Sequence, residues 1–220
     1  MEKKLEVSVI SPVFNERENL KTFVDSVTKV MHSTGMSWEL IVVDDGSDDG
    51  STTVIKELTN QDNIKCLLLA KNYGQTTAIQ AGFDNAIGKY LVTLDSDLQN
   101  DPKDIPALLH KLIEEELDLV VGWRKNRKDN YFLRNLPSSI ANKLIGNITG
   151  VKLHDYGCSL KAYRADVLKE VRLYGEMHRF IPAWMATKIP ASKISELVVT
   201  HHPRIAGKSK YGISRTFRVF

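Results

Sequence analysis

A chain of 220 residues, 42% hydrophobic and 26% charged, is long enough for one domain with an adequate core. It holds no run of roughly 20 apolar residues able to span a bilayer. Its first residues, MEKKLEVSVISP, lack the apolar centre of a signal peptide, so a reducing cytosol is expected, with Cys66 and Cys158 as free thiols. The net charge of +3 conceals an asymmetry: residues 121–134 carry +4 and residues 201–220 carry +5, against −6 for the remainder, as if two basic segments met one anionic partner.

Strand and helix patterns alternate along the chain. Val7 to Ser11 predicts a short buried strand. Leu20, Phe23, Val24, Val27, Val30 and Met31 follow helical spacing. Leu40 to Val43 predicts a second strand, and Ser51 is placed to cap a helix that turns Val54, Ile55 and Leu58 inward. A third strand is expected over Ile64 to Leu69, then a helix with Ala78, Ile79, Gly82, Phe83 and Ala86 on one face. Leu91 to Leu94 is the fourth strand. Asp101-Pro102 opens a helix carrying Ile105, Leu108, Leu109 and Leu112, and Leu119 to Val121 is the fifth strand. Beyond Gly122 the rhythm loosens: a helix is predicted over Phe132 to Ile148, a strand near Ser159 to Tyr163, a helix with Phe180, Ile181, Trp184 and Met185, and a strand from Ile194 to Thr200. Repeated β-α units imply an α/β domain with a mostly parallel, buried sheet flanked by helices.

In such sheets ligands bind beyond the C-terminal ends of the strands. The five ends read SPVFNERENL, DDGSDDGS, AKNYGQTT, DSDLQNDP and GWRKNRK. No glycine-rich dinucleotide fingerprint and no P-loop is present, so any diphosphate is held in another way. The fourth end supplies one. In an extended segment residues two apart share a side, so Asp95, Asp97 and Gln99 offer oxygen ligands to one cation. An all-oxygen set suits Mg²⁺ or Mn²⁺ rather than Zn²⁺. The competing reading of Asp95-Ser-Asp97 is a helix cap.

Taken in order, SVISPVFNE, IVVDDGSDDGS, KNYGQTTAIQAGFDNAIGKYLVTLDSDLQNDP, VVGWRKNR, DYGCSLKAYR and HHPRIAGKSKYG resemble the family 2 glycosyltransferases. Within them the chain is most similar to the polyisoprenyl-phosphate branch, the dolichyl-phosphate mannose synthases and bacterial undecaprenyl-phosphate sugar transferases. The resemblance implies a GT-A fold over residues 1–203, followed by a basic, membrane-proximal tail over 204–220. It implies inverting transfer of a sugar from a nucleotide-sugar, UDP-linked in the preferred reading, to a polyisoprenyl phosphate such as undecaprenyl phosphate. GDP-mannose with dolichyl phosphate, a saccharide or protein acceptor, and a non-catalytic nucleotide-sugar-binding module are the rival readings.

By the same resemblance Pro12, Phe14, Glu16 and Asp44 hold the donor's base and ribose, with Lys71 and Gly74 near it. Asp95, Asp97 and Gln99 hold the metal and diphosphate. Arg124, Arg134, Ser138 (or Ser139), Arg204 and Lys210 receive the acceptor phosphate, with Arg134 also in a catalytic role. No general base stands out, and a phosphate monoester needs none, being ionised near neutral pH. The expected partners are the nucleotide-sugar, the lipid phosphate and the cytoplasmic membrane surface, with a homo-oligomer possible and no nucleic acid.

Overall fold

The computed structural model describes residues 5–59, 61–125, 146, 149–168 and 170–204. Seven strands form one sheet: β1 (Val7–Val13), β2 (Trp38–Asp44), β3 (Ile64–Leu68), β4 (Tyr90–Thr93), β5 (Leu119–Trp123), β6 (Lys161–Arg164) and β7 (Ile194–Val198). Their order is β3-β2-β1-β4-β6-β5-β7. β1 lies parallel to both β2 and β4, with Val7 opposite Trp38 and Tyr90. β6 runs antiparallel to its neighbours β4 and β5. Two antiparallel steps cancel, so β5 and β7 point the same way as β1 to β4, and the five polar strand ends share one edge.

The helices are α1 (Arg17–Ser33), α2 (Ser51–Leu58), α3 (Gln75–Asn85), α4 (Ile105–Glu114), α5 (Ala165–Leu168) and α6 (Ile181–Met185). α1 packs on α2 and α4, whereas α3 packs on β1, β2 and the short 3₁₀ turn Met177–Phe180. The central strands β1 and β2 are therefore covered, and they read as near-continuous apolar runs for that reason. The predicted α1 stripe is buried at Leu20, Phe23, Val24, Val27 and Met31, each contributing about 1.5–3 kcal/mol by leaving water. Val30 is only half-buried.

Three local expectations change. Gly50, not Ser51, precedes α2. Ser51 is its first residue, and its hydroxyl accepts from the Glu16 amide and donates to Asp49, which ties the helix to the neighbouring loop. The strand expected at Ser159 begins at Lys161. The helix around Trp184 is only five residues long and leaves Trp184 46% exposed, so its apolar face is not all core. The predicted helix over Phe132 to Ile148 lies almost wholly outside the described residues. Among the described residues no helix is long and apolar enough to cross a membrane.

Candidate active site

Strand order reverses between β1 and β4, and a crevice opens where such a reversal occurs. A cavity of about 300 Å³ lies there, walled by Pro12, Phe14 and Glu16 after β1, Asp45 after β2, Gly74 and Gln75 at the start of α3, and Asp95 and Asp97 after β4. Arg204 closes it from the far end of the chain.

The β1 and β2 ends are laced together. Asn15, at φ +55°, donates from its backbone to the Ser47 hydroxyl (2.9 Å) and from its side chain to Asp48 (2.7 Å), and the Asp48 amide donates back (2.9 Å). Asp44 and Asp45 then divide the work. The Asp44 carboxylate is buried and accepts from the Ser47 amide and the Thr52 hydroxyl, so it shapes the turn and is not part of the cavity wall. Asp45 lines the cavity and accepts from the amides of Tyr73 (2.8 Å) and Gly74 (2.9 Å). Reading the sequence selected Asp44. Both residues are buried and adjacent, so no periodicity separates them. Gly46 is required between these loops: it sits at φ +69°, and a Cβ there would come within 2.6 Å of the Asn72 amide nitrogen. Lys71 is exposed, its ammonium 5.3 Å from the Tyr73 ring, and it does not reach the wall.

The β4 end does not continue as a strand. The chain turns at Ser96-Asp97, Leu98 takes φ +60°, and the Gln99 amide donates to the Asp97 carboxylate (3.1 Å). Asp95 and Asp97 still face one cavity, but Gln99 does not join them, because the alternation of an extended segment no longer applies. Gln75 donates from its amide nitrogen to Asp95 (2.8 Å) and so orients it from the start of α3. Burial, and then the charge of Asp97, push the Asp95 carboxyl up to about 6, despite Ser159, Lys161 and Arg124. Burial likewise raises Asp97. Among the described residues no three His, Cys, Asp or Glu side chains form a ready metal cage. Two neighbouring, oxygen-only carboxylates nevertheless fit a hard divalent cation, whose charge would offset the burial that lifts them.

Arg204, expected at the acceptor phosphate, supplies a positive charge beside these carboxylates. Its Nη1 donates to Glu16 Oε1 (2.9 Å) and its Nη2 to Asp97 Oδ2 (2.8 Å). The other Glu16 oxygen accepts from Asn19 (2.7 Å). Arg124, expected at the acceptor phosphate, is placed otherwise: its Nε and Nη2 fork onto Asp155 at 2.7 and 3.0 Å, and it is absent from the cavity wall. Beside it lies Lys161, a buried cation that reading the sequence did not single out, donating to the Cys158 carbonyl. In a four-residue strand that reads KAYR, nothing marks the lysine as buried. His178 is buried with Nδ1 2.6 Å from the Thr76 hydroxyl, which pins the 3₁₀ turn to the start of α3. Arg134, Ser138, Ser139 and Lys210 lie outside the described residues.

Comparison with known proteins agrees with the fold and with the family that the motifs resemble. The model of glycosyl transferase family 2 matches residues 8–172. The dodecaprenyl-phosphate galacturonate synthase of Rhizobium johnstonii is 56% identical over 217 residues, which are 98% of this chain and 64% of that protein, so the chain spans less than two thirds of this relative's length. Mannosyl-3-phosphoglycerate synthase from Rubrobacter xylanophilus superposes with a TM-score of 0.75 at 13% identity, over 97% of this chain and 70% of that one. Glucosyl-3-phosphoglycerate synthase from Mycobacterium tuberculosis, solved with Mn²⁺ and UDP-glucose, superposes with a TM-score of 0.69 at 18% identity, over 91% and 72%. At such identities the likeness concerns the fold, which is GT-A.

Proposed function

This chain belongs to glycosyl transferase family 2, and we propose that it transfers a sugar from a nucleotide-sugar, UDP-linked, to a polyisoprenyl phosphate with inversion. The observation that carries the reading is the placement of Asp95, Asp97 and Arg204 in one cavity, anion-binding and cation-binding groups side by side at the sheet's switch point. The 56% identity to a dodecaprenyl-phosphate galacturonate synthase supports the lipid phosphate as acceptor and a hexuronic acid as the sugar.

In this reading Pro12 and Phe14 pack against the donor's base, and Glu16 and Asp45 accept hydrogen bonds from its ribose or base. Asp44 supports that wall from behind through the Ser47 turn. Asp95 and Asp97 hold Mg²⁺ or Mn²⁺, which when bound neutralises the departing diphosphate. Gln75 keeps Asp95 aimed. Arg204 offers a guanidinium fork to phosphate oxygens, and Arg134, Ser138 and Lys210 are assigned to the acceptor phosphate by the family resemblance. The acceptor is already an anion at neutral pH, so no side chain has to remove a proton from it. Positioning and electrostatics then supply the catalysis. The basic residues beyond Arg204 would draw the chain to an anionic membrane surface, each lysine or arginine adding about 1 kcal/mol of attraction.

The test offers UDP-galacturonate, UDP-glucose and GDP-mannose with polyprenyl phosphate and Mn²⁺, and weighs the lipid product by mass spectrometry. A polyprenyl-phosphate hexuronate is expected, and Asp97→Ala should lower its formation on the order of 10³-fold. Transfer to a saccharide with no lipid product would overturn the acceptor. Full activity of Asp97→Ala in chelator would overturn the metal site.

A further inference from the structure

Residues 200–204 run back along the loop that carries Asp97. The Thr200 amide donates to the Asp104 carboxylate (2.6 Å). His201 pairs with Asn100 in an antiparallel bridge. The His202 amide donates to the Gln99 carbonyl (2.7 Å), and its Nε2 lies 3.1 Å from Asp101. Arg204 then reaches Asp97. The partners descend in order as the chain ascends, so this segment is a strap zipped antiparallel onto the metal-binding loop.

The contacts of the strap are of two kinds. The Thr200 and His202 contacts go to the Gln99 carbonyl, Asp101 and Asp104, outside the cavity wall. Those of Arg204 go into the cavity, to one oxygen of Asp97 and one of Glu16. Its fork is thus shared between carboxylates from two strand ends instead of closing on one. Arg204 and Asp97 side chains are 18% and 11% exposed, so the pair is poorly screened. A divalent cation at Asp97 would bring two positive charges to an oxygen that already accepts from a third. The guanidinium and the cation repel there, so the cation's arrival weakens the hold of Asp97 on Arg204.

We propose that Arg204 is a displaceable place-holder: in the ligand-free protein it bridges Asp97 and Glu16, and a divalent cation entering at Asp95 and Asp97 releases it into the cavity while the strap stays zipped through residues 200–202. The proposal rests on the assignment of the metal site above. It implies an order of events. The guanidinium becomes available to a phosphate group only after the cation has arrived, so an anion that depends on Arg204 binds second. The release also loosens Glu16, and one event thereby prepares both the ribose side and the diphosphate side of the donor site.

Mn²⁺ binding by the protein alone, with no nucleotide-sugar and no lipid, tests this, with unbound Mn²⁺ read from its paramagnetic resonance signal. Arg204→Gln should bind Mn²⁺ on the order of tenfold more tightly than wild type, the weight of one charge-assisted hydrogen bond. Arg204→Lys keeps the charge but cannot span both carboxylates, and should also bind more tightly, by roughly threefold. Adding Asp97→Asn to either variant should erase the gain. Circular dichroism of each variant confirms that it is folded. Binding by Arg204→Gln equal to or weaker than wild type would overturn the place-holder and leave the metal site standing. Arg204→Lys indistinguishable from wild type would also overturn it, because charge alone would then act. No Mn²⁺ binding by any variant would remove the metal site and the place-holder together.

Discussion

Arg124 and Arg204 leave neighbouring parallel strands of one sheet, β5 and β7, whose ends Trp123 and Val198 lie opposite each other. Both were expected at the same phosphate, and the tertiary structure gives them different situations. Arg124 folds at once onto Asp155. Burial works against its charge, yet Cys158, Asp155 and Asp95 hold the guanidinium above its usual range. Its partner lies outside the cavity wall, and nothing in the proposed chemistry competes for it. Arg204 travels along the strap to carboxylates that belong to the cavity itself, and a ligand can compete for both of them. Arg124 is a fixed part of the scaffold beside the cavity, whereas Arg204, as a displaceable place-holder, would be a moving part of the site. The difference lies in what the partner carboxylate is otherwise for.

The largest effect that would break or sharpen this contrast is on stability. Asp155→Ala leaves Arg124 charged, buried and alone, and should cost about 3–5 kcal/mol in denaturant unfolding. Arg204→Gln should cost less, about 1–3 kcal/mol, since the carboxylates it leaves line a cavity that water or a cation can enter and the rest of the strap remains zipped. Equal losses would erase the distinction between a fixed and a moving arginine.

A smaller effect concerns substrates. At saturating Mn²⁺, where the place-holder is already displaced, Arg204→Gln should raise the KM for polyprenyl phosphate on the order of tenfold and leave the affinity for free nucleotide within about twofold, as measured by titration calorimetry. An equal loss of nucleotide affinity would move Arg204 to the donor side.

The smallest effect belongs to the cluster around Arg124. Burial lowers the Lys161 ammonium from the ordinary 10.5 to about 8, with Cys158, Asp155 and Asp95 opposing. Between these values the unfolded chain binds more protons at this residue than the folded one, so stability rises with pH. Above pH 9 the buried Cys158 thiol, lifted to about 11, works in the opposite direction. From pH 8 to 9 wild type should therefore gain up to about 1.4 kcal/mol relative to Lys161→Met. Parallel stability curves for the two proteins would show that Lys161 stays charged through the interval.

How much could be read in the chain differs along it. The β-α rhythm of residues 7–123 was legible because both faces of β1 and β2 are covered, so their apolar runs stand out, and because α1 and α4 each keep one apolar stripe. The Asp101-Pro102 start was legible because capping is local: the Asp101 carboxylate accepts from the Lys103 amide two residues on. Among the described residues past Gly122 the helices shorten to four or five residues, as in α5 and α6, too short for a period to show. Within the site, Pro12, Phe14, Glu16, Gly74, Asp95, Asp97 and Arg204 do meet at one cavity, whereas Asp44, Lys71, Gln99 and Arg124 do not line it.

The sequence by itself determined the class of fold and which strand ends carry polar groups, since hydrophobic period and turn chemistry act over a few residues. Only the tertiary structure decided that β6 enters antiparallel between β4 and β5, that Asp45 rather than Asp44 faces the cavity, and that Gln99 turns aside after Leu98. It also decided which cation meets Asp97. Arg204 lies 107 residues away along the chain, and nothing local marks it off from Arg124. Contacts of that separation follow from how β5, β7 and the strap are stacked against β4, and stacking is settled by the whole core at once.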